Sequence, residues 1–112
     1  MIFIESKENN LFKETKKLKE RKHRNRNNKY IIEGFRLIEE AFKADLPIEY
    51  LIITKEENEK MTTYIEKYLK DDIKIYLMSD SLFKELISTE QPQGILAVAN
   101  MQNNYLKENG SF

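Results

Sequence analysis

Four short apolar stretches, separated by segments with helical spacing, constrain the fold of this chain more than any other feature. They are rich in the β-branched and aromatic residues that favour strands, and they cover Lys29–Glu33, Ile48–Thr54, Ile73–Met78 and Ile95–Ala99. Between them, apolar residues recur at helical intervals, as at Phe35, Ile38 and Phe42. This alternation predicts the α/β fold class, as a three-layer α/β/α sandwich with a four-stranded, mostly parallel (mixed) sheet.

A basic segment precedes the first of these strands. Asn9 or Asn10 has the side chain of a helix cap, and the spacing that follows predicts a helix from about Leu11 to about His23. The run Asn25–Asn28 is expected to end that helix, because asparagine tolerates turns and left-handed backbone. A narrow apolar stripe docks one side of the helix and leaves its cationic side open to a partner.

The same segment concentrates positive charge. Residues 13–29 contain nine Lys or Arg and two Glu, a local charge of +7 in a chain whose formal net charge is zero. The remaining residues therefore carry a charge of −7. A local excess of positive charge attracts a negative partner even when the net charge of the chain is zero. This segment is therefore a candidate contact surface. Charge alone, however, favours the plainer alternative of a solvated helix face.

Length and composition exclude several classes of function. At 112 residues the chain is one domain, large enough to bury a core. It has no cysteine, and its single histidine, His23, has no second metal ligand nearby in the sequence. No apolar run approaches the roughly 18 residues of a membrane span, and the first residues lack the pattern of a signal peptide. We therefore expect a cytoplasmic protein that binds neither metal nor membrane.

A glycine joins the first of the four strands to the next helix. Gly34 follows Glu33 directly and precedes the helix predicted over Phe35–Lys43. Without a Cβ at this junction, backbone N–H groups at the helix start can face a ligand. Alternatively, Gly34 only permits a tight turn, a role that is compatible with the first.

The order of these features resembles one known family. The basic helix, KYIIEGFRLIEEAF, IEYLIIT, SDSLFKELIST and EQPQGILAVAN follow one another as in the N-terminal substrate-binding domain of the SpoU-type (SPOUT-class, TrmH-like) RNA 2′-O-ribose methyltransferases. The most specific residues are Glu33, Gly34 and Arg36, and later Thr89, Glu90, Pro92, Gln93 and Gly94. Each group alone is weak evidence. Their joint order, about sixty residues apart at predicted strand ends, is specific.

The resemblance implies a fold similar to that of kink-turn-binding ribosomal proteins, and a role in selecting and holding RNA. Family members transfer a methyl group from S-adenosylmethionine to a ribose 2′-hydroxyl of rRNA or tRNA, through a knotted C-terminal domain that also forms the homodimer. No motif of that domain is present in this sequence. The chain itself is therefore expected to bind no cofactor, to catalyse no reaction and to be a monomer.

The expected organisation has three parts. Residues 1–9 form an N-terminal extension, in which Met1–Ile4 either adds an edge strand or packs loosely. Residues 10–100 form the RNA substrate-binding domain. Residues 101–112 form a linker to a missing C-terminal catalytic domain, because the run is polar and without a clear period.

The expected RNA contacts fall into two groups. The basic segment is expected to contact phosphates through Lys13, Lys16, Lys17, Arg21, Arg24, Arg26 and Lys29. The second group follows from the resemblance and forms a rim where a helix start meets the loop before the last strand. It comprises Gly34, Phe35, Arg36, Thr89, Gln91, Gln93 and Gly94. Alternatively, Pro92 and Gly94 only shape that loop.

The leading hypothesis is the RNA-recognition domain of an S-adenosylmethionine-dependent rRNA or tRNA ribose 2′-O-methyltransferase. The first alternative is a stand-alone, kink-turn-type ribosomal RNA-binding protein without enzymatic activity. The polar run Asn100–Phe112 argues against it, because that run resembles an interdomain linker. The second alternative, a small domain whose acidic remainder binds a protein, has no sharp feature in its favour.

Overall fold

The computed structural model describes residues 1–70 and 73–101, which form one sheet with helices on both of its faces. The strands are β1 Ile2–Ile4, β2 Lys29–Glu33, β3 Ile48–Thr54, β4 Lys74–Met78 and β5 Ile95–Asn100. The helices are α1 Asn10–Lys17, α2 Arg21–Asn27, α3 Phe35–Lys43, α4 Asn58–Ile65 with a 3₁₀ turn over Glu66–Tyr68, and α5 Asp80–Phe83.

The sheet is mixed and has five described strands in the order β1-β4-β3-β5-β2. β4 pairs in parallel with β1 and with β3, whereas β5 is antiparallel to both β3 and β2. Four strands therefore point in one direction and β5 alone points in the other. The predicted count of four strands is wrong, because Ile2–Ile4 adds the edge strand β1. Three residues are too few to show a strand period in the sequence.

Side chains alternate between two cores, one on each face of the sheet. In β3, Tyr50 and Ile52 face a cluster that includes Phe12 of α1 and Phe83 of α5. The intervening residues of β3 face a second cluster, whose helical members are Ile38 and Ala41 of α3 and Met61 and Ile65 of α4. β3 is thus buried on both faces, as its continuous apolar run predicts.

The basic segment forms two helices, so the single helix predicted over Leu11–His23 is wrong. After α1 the backbone tightens into hydrogen bonds that reach three residues back, and Leu18 is buried at this corner. Glu20 then has extended backbone, with φ −97° and ψ 131°. Arg24 closes the corner by donating from Nη1 to the carbonyl oxygens of Leu18 at 3.1 Å and Lys19 at 3.0 Å. Spacing alone does not reveal such a cap.

The Asn-rich run is mostly helical. The break predicted over Asn25–Asn28 is wrong for its first three residues, which form the end of α2. The amide Nδ2 of Asn27 donates to the carbonyl oxygen of His23 at 2.9 Å within that helix. Asn28 alone leaves the helix, with φ 54° and ψ 38°. Asparagine tolerates this left-handed conformation better than most residues, so the run supplies a cap and not a loop.

The remaining part of the predicted linker, residues 102–112, lies outside the described residues. The predicted domain boundaries at residues 9 and 100 stay predictions. Within residues 1–70 and 73–101, each helix is too short or too polar to cross a membrane.

Candidate nucleic-acid interface

The junction predicted at Gly34 is a sharp turn between β2 and α3. Gly34 has φ +92° and ψ 150°, a combination that is open almost only to glycine. Its N–H donates to the carbonyl oxygen of Ile95, and the next N–H, that of Phe35, donates to Oε1 of Gln93 at 2.8 Å. The structure therefore brings the start of α3 together with the loop before β5, as the rim hypothesis expects.

Gly94 has a different role from Gly34. It is buried, has φ +80°, and accepts a hydrogen bond from the N–H of Thr54. A Cβ at this position would lie 2.6 Å from Cγ of Glu57 and 2.7 Å from Oγ1 of Thr54. The close packing favours the alternative in which Gly94 shapes the loop and does not touch a ligand.

A groove of about 880 Å³ lies between α3 and the loop over residues 88–93. Its wall is largely apolar and includes Ile31 and Leu37, whose side chain is 60% exposed. Its rim is polar and carries Glu33, Arg36, Thr89, Gln91 and Gln93. Leu37 lies one position before the buried Ile38 and opens into the groove. We call this site the α3 groove.

Glu33 fastens the loop that forms one side of the α3 groove. Its Oε1 accepts a hydrogen bond from the backbone N–H of Ser88 at 2.6 Å. Together with the bond between Phe35 and Gln93, this contact ties both ends of the loop to β2 and α3. The side chains of the rim are therefore held in place by the chain itself.

Several of the predicted phosphate ligands are already engaged within the protein. Arg24 caps the corner between α1 and α2. Ion pairs join Lys13 to Glu8 at 3.1 Å, Lys16 to Glu85 at 2.8 Å and Lys29 to Glu49 at 3.2 Å. Hydrogen bonds from Lys16 and Lys7 hold the pKa of the Glu85 carboxyl below its ordinary value of 4.5.

The other predicted cations are available. Lys17, Arg21, Arg26 and Arg36 are exposed, and they have no ion-pair or hydrogen-bond partner for their side chains within the described residues. Unpaired cations retain their full charge for a partner, whereas a paired cation must first give up a carboxylate. The four unpaired residues are therefore the stronger candidates for phosphate contact.

One buried hydrogen bond anchors α1 to the sheet. Oγ1 of Thr15 lies 2.6 Å from the hydroxyl of Tyr50 and donates its own proton to the carbonyl oxygen of Leu11, so Tyr50 is the donor of the shared bond. Burial raises the pKa of Tyr50 to about 12. Local spacing does not reveal this pairing, because Thr15 fits the apolar stripe of α1 and tyrosine is common in strands.

The predicted contacts are spread along the free edge of β2. A small depression lined by Lys19, Arg24 and Tyr30 adjoins the α3 groove, since Ile31 and Glu33 line both. Tyr30 is 37% exposed there, within reach of a base.

The cations at the start of β2 are farther from the groove. Lys29 and Gly34 stand at opposite ends of the strand, about 16 Å apart at roughly 3.3 Å per residue. The predicted contacts therefore form two separate groups, and their contact with RNA stays a prediction.

His23 lies near its own helix start and not in a metal centre. Its Nε2 is 3.2 Å from Oε2 of Glu20. Within residues 1–70 and 73–101, no group of three or more His, Cys, Asp or Glu side chains is placed to hold a metal ion.

Known proteins that are similar to this chain belong to the family that the motifs indicated. The family model of the MRM3-like substrate binding domain matches residues 9–97. The chain is 36% identical over 98 residues to 23S rRNA (guanosine(2553)-2′-O)-methyltransferase RlmP of Bacillus subtilis (strain 168), an alignment that covers 88% of this chain and 37% of that protein.

Solved structures share the fold. The crystal structure of an RNA 2′-O ribose methyltransferase has a TM-score of 0.71 with 27% identity, and covers 91% of this chain and 38% of that one. The SpoU methyltransferase AviRb from Streptomyces viridochromogenes, solved in complex with AdoMet, has a TM-score of 0.73 with 24% identity over 88% of this chain and 38% of its own. The chain thus spans well under half the length of these proteins.

Proposed function

This chain belongs to the family of MRM3-like substrate-binding domains, and we propose that it is the RNA-recognition domain of an S-adenosylmethionine-dependent rRNA 2′-O-ribose methyltransferase. The resemblance to SpoU-type methyltransferases, predicted from the motifs, is confirmed by the family match and by the identity to the Bacillus subtilis enzyme. That enzyme is named for a nucleotide of 23S rRNA, so 23S rRNA is the proposed substrate.

The surface along β2 is the observation that carries the proposal. At one end, the α3 groove combines an apolar wall with Arg36, Gln91 and Gln93, the residue types that accept an unstacked base and hydrogen-bond its edge. Beyond it, the unpaired cations of α1 and α2 supply charge for the phosphate backbone. RNA recognition needs both kinds of contact, since phosphate contacts position the RNA and base contacts specify it.

Methyl transfer belongs, in this proposal, to another part of a longer protein. S-adenosylmethionine supplies the methyl group in such enzymes. The two turns with a positive-φ glycine do not fit that cofactor, because Gln93 occupies the space beside Gly34, and Thr54 and Glu57 occupy the space beside Gly94. No backbone cradle is left open at either turn, so we assign no catalytic step to this chain.

Three finer features complete the proposal. We propose that the fold also resembles that of kink-turn-binding ribosomal proteins, with the rim of the α3 groove as the edge that meets RNA. The longer protein is a homodimer through its catalytic domain, while this chain alone is a monomer. The longer protein acts in the cytoplasm.

RNA binding by the purified chain tests the proposal. We expect a 23S rRNA fragment around guanosine 2553 to bind more tightly than an unrelated hairpin of equal length. We also expect log K to fall linearly with log[salt], at roughly 0.7–0.9 per phosphate contacted. A signal of equal size for both RNAs, or one without salt dependence, contradicts the proposal.

A kink-turn RNA of the same length serves as the third ligand. If it binds more tightly than the 23S rRNA fragment, the stand-alone ribosomal alternative replaces the methyltransferase proposal. Sedimentation of the free chain in the same buffer checks that a monomer is the binding species.

A further inference from the structure

A second concave site lies at the opposite end of β2 from the α3 groove. It is a recess of about 310 Å³ between α1, α2 and the first residues of β2. Its wall includes the side chains of Lys17, His23, Arg26 and Lys29, and Tyr50 of β3 forms part of its floor. We call it the basic recess.

The cations of the basic recess come from three separate elements. Lys17 is the last residue of α1, Arg26 lies in the last turn of α2, and Lys29 opens β2. Lys17 and Arg26 have no side-chain partner within residues 1–70 and 73–101, and Lys29 shares its charge with Glu49 at 3.2 Å. Both helices end beside these cations, and the partial negative charge of the two helix ends stabilises the cations but opposes a bound anion.

We propose that the basic recess holds one backbone phosphate of the bound RNA, with Lys17 and Arg26 as its ligands and Lys29 as a flanking charge. The inference rests on the proposed function and makes it more specific. Arginine can offer two parallel N–H groups to phosphate oxygens, and lysine adds a point charge from another direction. A tetrahedral phosphate accepts both at once.

The anchoring of α1 supports a fixed site in place of a diffuse one. Tyr50, at the floor of the recess, holds Thr15 of α1 at 2.6 Å. Lys17 lies two residues farther along the same helix, and Leu18 beside it is buried. The main chain that carries Lys17 is therefore fixed before RNA arrives, so less ordering is needed on binding.

One acidic residue in the basic recess provides a test in which RNA affinity should rise and not fall. Glu14 also lines the basic recess and has no ion-pair partner within the described residues. A phosphate in the recess is repelled by this carboxylate. Glu14→Gln is therefore expected to raise RNA affinity roughly two- to threefold, whereas Glu59→Gln on α4, away from the recess, leaves it unchanged.

The main experiment compares two variants with the same change of net charge. Lys17→Gln/Arg26→Gln removes the unpaired ligands, and Lys13→Gln/Lys16→Gln removes two cations that are paired with Glu8 and Glu85. We expect the first variant to lose roughly tenfold in affinity for the 23S rRNA fragment and about one unit of salt slope. The second should lose threefold or less.

Methylphosphonate substitution of the RNA locates the phosphate. We expect one neutral linkage to abolish the difference between the wild-type chain and Lys17→Gln/Arg26→Gln, as in a double-mutant cycle. Equal losses in the two charge-matched variants, or a difference that survives neutralisation of each linkage in turn, overturn the basic recess. Failure of the wild-type chain to bind any of the RNAs instead overturns the proposed function itself.

Discussion

The rim of the α3 groove and the basic helices α1 and α2 are built in opposite ways. The rim depends on two left-handed glycines and on hydrogen bonds that tie its loop to the sheet. The basic helices depend on exposed charges, several of which are held by carboxylates of the same chain. The rim is thus defined by backbone conformation and packing, and the exposed surface of the basic helices is defined by charge.

The difference predicts how each region responds to change. The glycines Gly34 and Gly94 have few acceptable replacements, because their positive φ and the packing beside them disfavour a side chain. An unpaired cation on α1 or α2, such as Lys17 or Arg26, can be lost at little cost to the fold, and its loss weakens only the binding of a charged partner. Substitutions of these glycines should therefore lower stability, and substitutions of unpaired cations in the helices should lower salt-dependent affinity.

The largest effect is expected from Gly94→Ala. The new Cβ would lie 2.6 Å from Glu57 and 2.7 Å from Thr54, and alanine resists a φ of +80°. We expect a loss of about 2–5 kcal/mol in the free energy of unfolding. Urea denaturation followed by circular dichroism measures it.

Gly34→Ala is the matched control for that substitution. Its φ of +92° is equally unfavourable for alanine, but its nearest neighbour is the flexible end of Gln93 at 3.2 Å. The expected loss is smaller, about 1–3 kcal/mol. Equal losses at the two glycines would show that packing at Gly94 adds nothing to its backbone strain.

A smaller effect is expected from Thr15→Val, at the joint between α1 and the sheet. The change keeps the shape of Thr15 and leaves the hydroxyl of Tyr50, which is 5% exposed, without its acceptor. An unpaired buried hydroxyl costs about 1–3 kcal/mol. Thermal unfolding of Thr15→Val, Tyr50→Phe and the double variant measures the coupling. If the double variant regains no stability over Thr15→Val, the hydrogen bond is not what anchors α1.

The sequence predicted the elements better than their ends and contacts. The strand Lys29–Glu33, the strand Ile48–Thr54 and the helix Phe35–Lys43 match the structure residue for residue, because each has a clear period and clear neighbours. β1 was only one of two alternatives, since its position depends on β4, seventy residues or so away. Pairing over such a distance leaves no mark in local spacing.

The candidate site shows the same limit. Residue type made Arg24 a candidate for phosphate contact, but its guanidinium donates to the carbonyl oxygens of Leu18 and Lys19, which follow α1. Lys13 and Lys16 have the same side chain as Lys17, but each forms an ion pair with a carboxylate. Only the folded structure shows which of these cations are unpaired. The sequence identified the cations, and the contacts separate the paired ones from the unpaired ones.

The smallest effect concerns the ion pairs of Glu85. Lys16 and Lys7 lower the pKa of this carboxyl below 4.5, so the pairs stabilise the folded chain above that pH and are lost as pH falls through the lowered value. Glu85→Gln should therefore lower the midpoint of thermal unfolding slightly at neutral pH and have no effect near about pH 2. Added salt should shrink the difference at neutral pH. A difference that persists in acid means that Glu85 stabilises the chain through packing and not through charge.

Chemical-shift mapping tests most directly whether the α3 groove and the basic helices bind the same RNA. The ¹⁵N-labelled chain is titrated with the 23S rRNA fragment, and the backbone amides are followed. We expect the amides of Phe35, Arg36 and Gln93 to shift together with those of α2, while those of β1, at the other edge of the sheet, stay in place. Shifts centred on β1, or shifts in α2 without the rim, would contradict a single RNA-binding surface along β2.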